Sequence, residues 1–343
     1  MAENPTTTTT PAATAVPLDV DPDFLRHSDS DTDSAVGSID EQLSSFSTSL
    51  TSSITNYPVR NGRRYHAYKD GSYILPNDDE EQDRLDLAHH MMLKLIGDRL
   101  FLAPLPDDFA GKILDVGTGT GIWAIEMGDR FPSAEILGND LSPVQPTWVP
   151  TNVKFEVDDV ENEWTFPTPF DYVFSRYLAS AIGDWPNLVK QAYKNVKPGG
   201  WVEFQDFDSM FYSDDGSLTP DHAIHKWIST LVEACGKLGR YSLPGHKLPE
   251  WFKEAGFVNI HHEKFKLPIG PWAKEKRQKE AGLLNLMQVI DGLEGFSLRV
   301  FVDILKWDIK EVQVLLAQVR QDLKDKSIHA MFDFHVVWAQ RPE

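Results

Sequence analysis

Three glycines at alternate positions form the part of the sequence best suited to binding a ligand. In the run DVGTGTG, Gly117, Gly119 and Gly121 follow a short, mainly apolar segment (113–116) and precede an apolar segment that is typical of a helix. A glycine turn between a strand and a helix lets a ligand lie against the backbone, close to the positive N-terminal end of the helix. This arrangement is typical of a nucleotide-type pocket.

The spacing of the glycines and two nearby aspartates indicate which ligand binds. Dinucleotide-binding turns carry the pattern G-x-G-x-x-G around a pyrophosphate, whereas these glycines follow G-x-G-x-G. Asp115, two positions before Gly117, would repel phosphate but attract a cationic ligand. Asp140 ends a second apolar segment, where a carboxylate can accept hydrogen bonds from ribose hydroxyls. S-Adenosylmethionine has an ammonium, a sulfonium and a ribose but no phosphate, so the sequence predicts this cofactor.

Further motifs follow the glycine turn in a fixed order. They are NDLS, VDDVE, FDYVFSR and KPGGWVEF, and with DVGTGTG they resemble the successive motifs of class I S-adenosylmethionine-dependent methyltransferases over residues 112–206. The resemblance implies that Asp115 organises the loop near the cofactor ammonium. The residues that we expect to contact the cofactor are Asp115, Gly117, Thr118, Gly119, Gly121, Asp140, Leu141, Asp159, Val160, Ser175 and Arg176.

The resemblance also implies which residues lie near each end of the cofactor. Asp159 and the backbone of Val160 are expected to face the adenine, and Ser175 with Arg176 is expected to lie near the methionine moiety. An alternative for Asp158 and Asp159 is that they cap a helix.

Two other segments resemble a narrower family. NGRRYHAYKDGSYILPNDDEEQDRLDLAHH and SRYLASAIGDWP are similar to segments of the LaeA-like fungal methyltransferases, which regulate secondary metabolism and act with velvet-domain proteins. The resemblance implies a methyltransferase that regulates fungal secondary metabolism, with a velvet-domain protein as a candidate partner. Two alternatives stay open: a tailoring methyltransferase acting on a small metabolite, and a cofactor-binding regulatory module acting through protein complexes. SRYLASAIGDWP carries no recognisable acceptor motif, so the sequence does not identify the methyl acceptor, and a small metabolite and a protein both stay open.

Composition and charge limit the partners. The formal net charge of -19 over 343 residues disfavours direct binding to nucleic acid. The single cysteine, Cys235, excludes an intrachain disulfide and a cysteine cluster for zinc. Without a secretory signal or an apolar run of about 20 residues, we expect a soluble protein in the cytoplasm, the nucleus or both. The basic run KEKRQK (274–279) is interpreted as a solvated helix face rather than a nuclear localisation signal.

The chain divides into a tail and one domain. Residues 1–56 are rich in Ser, Thr and Asp and have few large apolar side chains, so we predict that they are disordered. Residues 57–343 are predicted to form the methyltransferase domain. Its first part, 57–83, is dense in tyrosine and is interpreted as a lid over the cofactor, although these tyrosines could instead only pack a helix. Helical insertions at about 207–245 and 270–327 are expected to form the substrate chamber.

Short apolar segments alternate with helical patterns along the domain. This alternation predicts an α/β fold with a doubly wound sheet. The predicted strands are 113–116, 136–138, 153–157, 172–175, 201–205, 258–267 and 332–338. The resemblance implies a Rossmann-like class I methyltransferase fold whose seven-stranded, mainly parallel sheet has an antiparallel last strand between the fifth and sixth. Residues 83–102 and 283–323 show helical periodicity.

The catalytic residue is hard to read from the sequence, because in-line methyl transfer mainly requires correct placement of the reactants. His66, in the predicted lid, is a candidate base because the pKa of imidazole lies near neutrality. Its neighbour Tyr65 is a second candidate.

Histidine pairs elsewhere do not predict a metal site. His222 and His225 have the i, i+3 spacing of two helical ligands but lack a clear third ligand. His89 and His90 are adjacent, so we expect them to diverge on a helix.

Overall fold

A seven-stranded sheet lies at the centre of the computed structural model, which describes residues 17–22, 57–68 and 73–343. A short hairpin, β1 and β2, precedes it. The strands in chain order are β1 (Val59–Arg60), β2 (Arg63–Arg64), β3 (Lys112–Val116), β4 (Glu135–Asp140), β5 (Val153–Val157), β6 (Phe170–Arg176), β7 (Val196–Tyr212), β8 (Val258–Pro268) and β9 (Met331–Gln340). Strands β3 to β9 form the sheet in the order β5-β4-β3-β6-β7-β9-β8.

The strand directions confirm the predicted fold. Strands β5, β4, β3, β6 and β7 pair in parallel, whereas β9 is antiparallel to both of its neighbours, β7 and β8. Strand β9 therefore lies between the fifth and sixth strands of the sheet, as the resemblance implied. In such a sheet, the carboxyl ends of the parallel strands meet at one edge and form the ligand-binding crevice.

Seven α-helices are described, and several come from the predicted insertions. They are α1 (Asp79–Leu95), α2 (Ile122–Arg130), α3 (Trp185–Asn195), α4 (Ala223–Lys237), α5 (Leu248–Ala255), α6 (Lys276–Leu298) and α7 (Ile309–Lys324). Helix α4 lies in the first insertion and packs against β7, while α6 and α7 lie in the second and α6 packs along α1. In the described part of the chain, none of the helices combines the length and the apolar character that crossing a membrane requires.

Helix α1 begins and ends earlier than predicted. The Asp78 carboxylate caps the helix by accepting a hydrogen bond from the Glu81 amide at 3.2 Å, so the helix begins at Asp79, four residues before the predicted start at 83. At the other end, Gly97 and Asp98 have φ angles of +86° and +56°, which no helix can continue. The prediction for residues 83–102 is therefore shifted, because capping acts through polar residues outside the apolar pattern.

The predicted helical stretch 283–323 is interrupted. Helix α6 passes into a π-helical turn (Arg299–Ile304), and Lys306 has a φ of +62° that ends it. The Asp308 carboxylate then accepts from the Lys310 amide at 2.7 Å and starts α7. Apolar spacing continues through both helices, so periodicity alone does not reveal the break.

The described segment of the N-terminal tail, residues 17–22, contacts the domain. In residues 17–22, Val20 pairs with Ala273, and Leu18 and Val20 pack against Trp272 and Ala273. The Asp21 amide donates to the Trp272 carbonyl at 2.7 Å. These contacts correct the prediction of disorder for this short segment, whose two large apolar residues find a partner surface. The rest of the 1–56 tail lies outside the described residues.

Candidate active site

The glycine turn takes a backbone conformation that other residues rarely adopt. Gly117, Gly119 and Gly121 have φ angles of +70°, +59° and +81°. A Cβ atom on Gly121 would lie 2.5 Å from the Phe155 ring, and one on Gly117 would lie 2.7 Å from Leu178. The turn therefore requires glycine for both its dihedral angles and its packing, and it delivers the chain into helix α2.

Asp140 lies at the end of β4, directly opposite the glycine turn. One carboxylate oxygen accepts from the Gly119 amide at 2.9 Å and the other from the Ser142 amide at 3.0 Å. Burial raises the pKa of this carboxyl above its ordinary value, while the backbone donors lower it. Each oxygen keeps a further lone pair, so Asp140 can accept two hydrogen bonds from a diol.

Asp115 and Arg176 bring opposite charges to the neighbouring strand ends. The Thr118 hydroxyl donates to Asp115 at 2.5 Å, and burial raises the pKa of this carboxyl to about 7. Arg176 donates from Nη2 to Nδ1 of His89 at 2.5 Å, whereas its buried Nη1 has no hydrogen-bond partner among the described residues. An unpaired buried donor is costly. Arg176 is therefore well placed to bind an anionic group of a ligand.

These groups surround a cavity. The predicted cofactor residues that line it are Asp115, Gly117, Thr118, Gly119, Asp140, Leu141, Asp159, Val160 and Arg176. Two predicted residues do not line it. Gly121 forms the N-cap of α2, and Ser175 is a buried residue of β6 paired with Val116 of β3.

Helix α1 forms a wall of the cavity that the sequence motifs did not indicate. Leu85, His89 and Met92 line the cavity from one face of this helix. Their i, i+4, i+7 spacing places them on a common helix face. This spacing was the feature of the sequence that could have indicated the wall. Only the packing of α1 shows that this face meets the glycine turn.

His89 and His90 do not diverge as expected. Their ring centroids are 5.3 Å apart, and with Glu126 they place possible ligand atoms within 4.8 Å of one another. Burial lowers the pKa of His89 to about 2, helped by nearby Arg176 and His90. Because Arg176 donates to Nδ1, the neutral ring carries its proton on Nε2, which lies 3.1 Å from the Glu126 carboxylate. This nitrogen is a hydrogen-bond donor to Glu126 and has no lone pair for a metal.

The comparisons with known proteins identify the family. Residues 87–262 match a family model described as a methyltransferase domain. The chain is 48% identical over 297 residues to methyltransferase pytC of Aspergillus terreus, covering 86% of this chain and 91% of that protein. It is 34% identical over 295 residues to the secondary metabolism regulator LAE1 of Cochliobolus heterostrophus, covering 84% and 96%. The chain belongs to the LaeA-like methyltransferase family.

The comparison with solved structures also found similar proteins. Haemonchus contortus phosphoethanolamine N-methyltransferase 2, in complex with S-adenosyl-L-methionine, has a TM-score of 0.44 and 19% identity. The match covers 80% of this chain and 55% of that enzyme, so this chain spans about half the length of that relative. The family membership makes this protein an S-adenosylmethionine-dependent methyltransferase tied to fungal secondary metabolism, as the sequence predicted.

The cavity residues of this LaeA-like methyltransferase fit the cofactor. The two oxygens of Asp140 match the ribose hydroxyls, and the unpaired Nη1 of Arg176 matches the methionine carboxylate. Asp159 and Val160 line the cavity on a turn rather than at a helix start, since the next described helix begins at Trp185. When bound, S-adenosylmethionine supplies a methyl group on a positively charged sulfur, which departs with the electron pair of the broken bond.

The raised pKa of Asp115 predicts that cofactor affinity depends on pH. The folded-state pKa of about 7 lies above the ordinary value of 3.8, because burial disfavours the ionised form. The stability of the ligand-free protein should therefore fall as the pH rises from about 4 to about 7. Ionised Asp115 attracts the cofactor ammonium, so cofactor affinity should rise over the upper part of this range. Calorimetric titration between pH 5.5 and 8.5 measures this rise.

The Asp115→Asn variant provides the control for the pH prediction. Asparagine keeps an oxygen that accepts from Thr118, but it cannot titrate. The pH-dependent rise in affinity should therefore disappear. Burial also raises the pKa of Asp206 to about 7, but the carboxylate accepts from the backbone of the loop after β6 and does not line the cavity. A rise that persists in Asp115→Asn would assign the effect to another group.

The structure gives the two candidate catalytic residues different surroundings. His66 lines the cofactor cavity, with Nδ1 3.4 Å from the Ser142 hydroxyl and Nε2 3.3 Å from the Tyr73 carbonyl. Tyr65 is fully buried beneath the Arg299 guanidinium, 4.8 Å from its ring centroid, and burial raises the pKa of Tyr65 to about 12. It does not line either of the two cavities described. This position gives Tyr65 a packing role, whereas His66 and Tyr73 cover the cofactor cavity from the predicted lid.

A second cavity adjoins the first. Tyr73 and Tyr177 line both cavities, so they mark the boundary between them. None of the described residues that line the second cavity carries a charge. Its walls are mainly aliphatic and aromatic, and their other aromatic members are Phe207, Phe211, Trp227, Phe296 and Phe332. Helices α4 and α6 of the two insertions supply much of this surface, which we call the apolar chamber.

Proposed function

We propose that this methyltransferase methylates a small, mainly apolar metabolite. The observation that carries the proposal is the apolar chamber, which adjoins the cofactor cavity and is lined by uncharged residues. A molecule in the chamber could present its nucleophile to the cofactor between Tyr73 and Tyr177.

The chemistry of the chamber argues against a charged protein side chain as the acceptor. Lysine and arginine side chains would lose their hydration in the chamber without gaining an ionic partner, which is strongly unfavourable. A small uncharged molecule avoids this cost. The relative pytC, at 48% identity, is named as a methyltransferase, and this supports an enzymatic role for the present chain.

Filling the chamber is expected to prevent methylation without affecting the cofactor. Val289 lies on α6 and lines the chamber but not the cofactor cavity. Val289→Phe should occupy acceptor space and lower transfer to a metabolite about tenfold or more, because acceptor pockets discriminate strongly by size. The measurement incubates the protein with methyl-labelled cofactor and either a fungal metabolite extract or a fungal protein extract. Cofactor affinity should be unchanged.

The matched control is Val314→Phe. Val314 is 59% exposed on α7, so the same substitution should leave methyl transfer intact. Label in the metabolite fraction that falls with Val289→Phe alone supports the proposal. Label found only in the protein fraction would instead favour a regulatory methyltransferase that acts on a protein. Cofactor binding without label in either fraction would favour a cofactor-binding module that acts through protein complexes.

We also propose a regulatory connection, which rests on the family resemblance. Relatives at 33–34% identity are named as regulators of secondary metabolism. A velvet-domain partner and a location in the cytoplasm, the nucleus or both remain predictions from the sequence. Co-purification of the full chain with a velvet-domain protein, and microscopy of a tagged chain, test them.

A further inference from the structure

Tyr177 occupies a strained position at the boundary between the two cavities. It directly follows β6, and its φ of +65° is unusual for a bulky residue and costs free energy. Its amide donates to the Gln205 carbonyl at 3.1 Å. The next two amides, of Leu178 and Ala179, donate to the buried Asp206 carboxylate at 2.7 and 3.2 Å. These hydrogen bonds therefore hold Tyr177 in a backbone conformation that a tyrosine rarely adopts.

Charged and amide side chains hold the Tyr177 hydroxyl in position through hydrogen bonds. Arg84 Nη1 donates to Tyr177 Oη at 2.9 Å and to Gln288 Oε1 at 2.7 Å. Gln288 is oriented in turn, because its Nε2 donates to Asn285 Oδ1 at 2.8 Å. A bidentate pair with Glu81, at 2.6 and 2.9 Å, holds the guanidinium of Arg84 in place. This network sets the position of the Tyr177 oxygen.

The hydroxyl proton of Tyr177 is only weakly used by the protein. Among the described residues, its acceptor is Gln288 Oε1 at 3.4 Å, which is long for an O–H···O bond and is already engaged by Arg84. Burial raises the pKa of Tyr177, so the group keeps its proton near neutral pH. The positive charge of Arg84 on the oxygen also makes the hydroxyl a stronger donor. Tyr177 can therefore donate to a molecule in the apolar chamber.

The surroundings of this hydroxyl define what it would bind. The Phe207 ring lies 4.9 Å from the Tyr177 ring, and other aromatic side chains continue the wall of the chamber. Aromatic walls favour a flat, unsaturated molecule through ring contacts. Among the described residues, the lining of the chamber carries no charged group that could pair with an ion. The best-matched ligand is an uncharged aromatic compound with an oxygen that accepts a hydrogen bond.

We propose that Tyr177 selects the methyl acceptor by donating a hydrogen bond to a carbonyl oxygen of an uncharged aromatic molecule in the apolar chamber. This inference rests on the proposed function, because it assigns a substrate class to the same chamber. It makes Tyr177 a specificity-determining residue, positioned by Arg84 and the loop that Asp206 organises. The cofactor cavity keeps its own contacts, so cofactor binding does not require this hydroxyl.

Two fluorescent probes test the assignment on the full chain saturated with S-adenosylhomocysteine. One is 6-propionyl-2-(dimethylamino)naphthalene, an uncharged naphthyl ketone, and the other is N-phenyl-1-naphthylamine, which is uncharged and has no carbonyl. Tyr177→Phe keeps the ring and removes the donor. It should weaken binding of the ketone about tenfold, the upper range for one hydrogen bond, and change binding of the naphthylamine less than about twofold. Val289→Phe should weaken both probes.

A second measurement does not depend on how Tyr177→Phe folds. The emission of the ketone shifts to longer wavelength when its carbonyl accepts a hydrogen bond, so the ketone bound to the wild-type chain should show this shift. Equal effects of Tyr177→Phe on both probes, or emission typical of an aprotic site in the wild type, would overturn the assignment. Label transfer to the metabolite extract tests the proposed function separately. Transfer with no selective loss of the ketone would refute the role of Tyr177 alone.

Discussion

Asp140→Asn is expected to lower the affinity for S-adenosylmethionine by about a hundredfold. Hydrogen bonds to a charged group contribute about 1.5–3 kcal/mol each, and a tenfold change corresponds to about 1.4 kcal/mol. Asparagine keeps one acceptor oxygen but loses the charge and places an NH₂ group where the second oxygen accepts. In either orientation of the amide, the NH₂ group faces a backbone N–H, that of Gly119 or that of Ser142, which needs an acceptor. Isothermal titration calorimetry measures the loss.

The control for Asp140 comes from the same strand. Glu135 begins β4 and is exposed, so Glu135→Gln makes the equivalent chemical change away from the cavity. It should leave cofactor affinity unchanged within about twofold. Thermal unfolding of both variants without cofactor separates binding from stability. Near-normal affinity in a folded Asp140→Asn protein would remove the ribose assignment and, with it, the main support for the cofactor geometry.

Arg84→Met is expected to destabilise the fold by about 3–5 kcal/mol, the cost of removing one partner from a buried ion pair. The side chains of Arg84 and Glu81 are only 1% and 2% exposed, and they form a bidentate pair. Arg84 also donates across the helix interface to Gln288 of α6 and to Tyr177. Its loss leaves the Glu81 carboxylate buried without this partner and removes the closer of the two donors to Gln288 Oε1. Urea denaturation followed by circular dichroism measures the free energy of unfolding.

An exposed ion pair provides a matched control for Arg84. Arg320 of α7 pairs with Glu294 at 3.1 Å, and their side chains are 38% and 56% exposed. Arg320→Met should cost less than about 1 kcal/mol, because water screens such pairs. The double variant Glu81→Gln, Arg84→Met should be more stable than Arg84→Met, since the unpaired charge is gone. Equal stability of the Arg84→Met and Arg320→Met proteins would contradict the importance of the buried network.

The sequence determined the parts of this protein that depend on local chemistry. The conformation of Gly117 and Gly119, the carboxylate of Asp140 at a strand end and the alternation of apolar segments all arise within short stretches of chain. Backbone dihedrals, hydrogen bonding at turns and side-chain alternation act over a few residues. The motifs could therefore predict the sheet, the cofactor cavity and the cofactor. They also placed His66 near the cavity, through its position in the tyrosine-rich lid.

Only the tertiary structure decided which distant side chains meet. Arg84 is 93 residues from Tyr177 and 204 residues from Gln288, yet it hydrogen-bonds to both. His89 joins Arg176 because one face of α1 packs against the strand ends. The apolar chamber likewise exists because helices of two separate insertions close over the sheet. Such contacts depend on how whole elements pack, and no local pattern of residue types records that packing, so the acceptor site could not be read from the sequence.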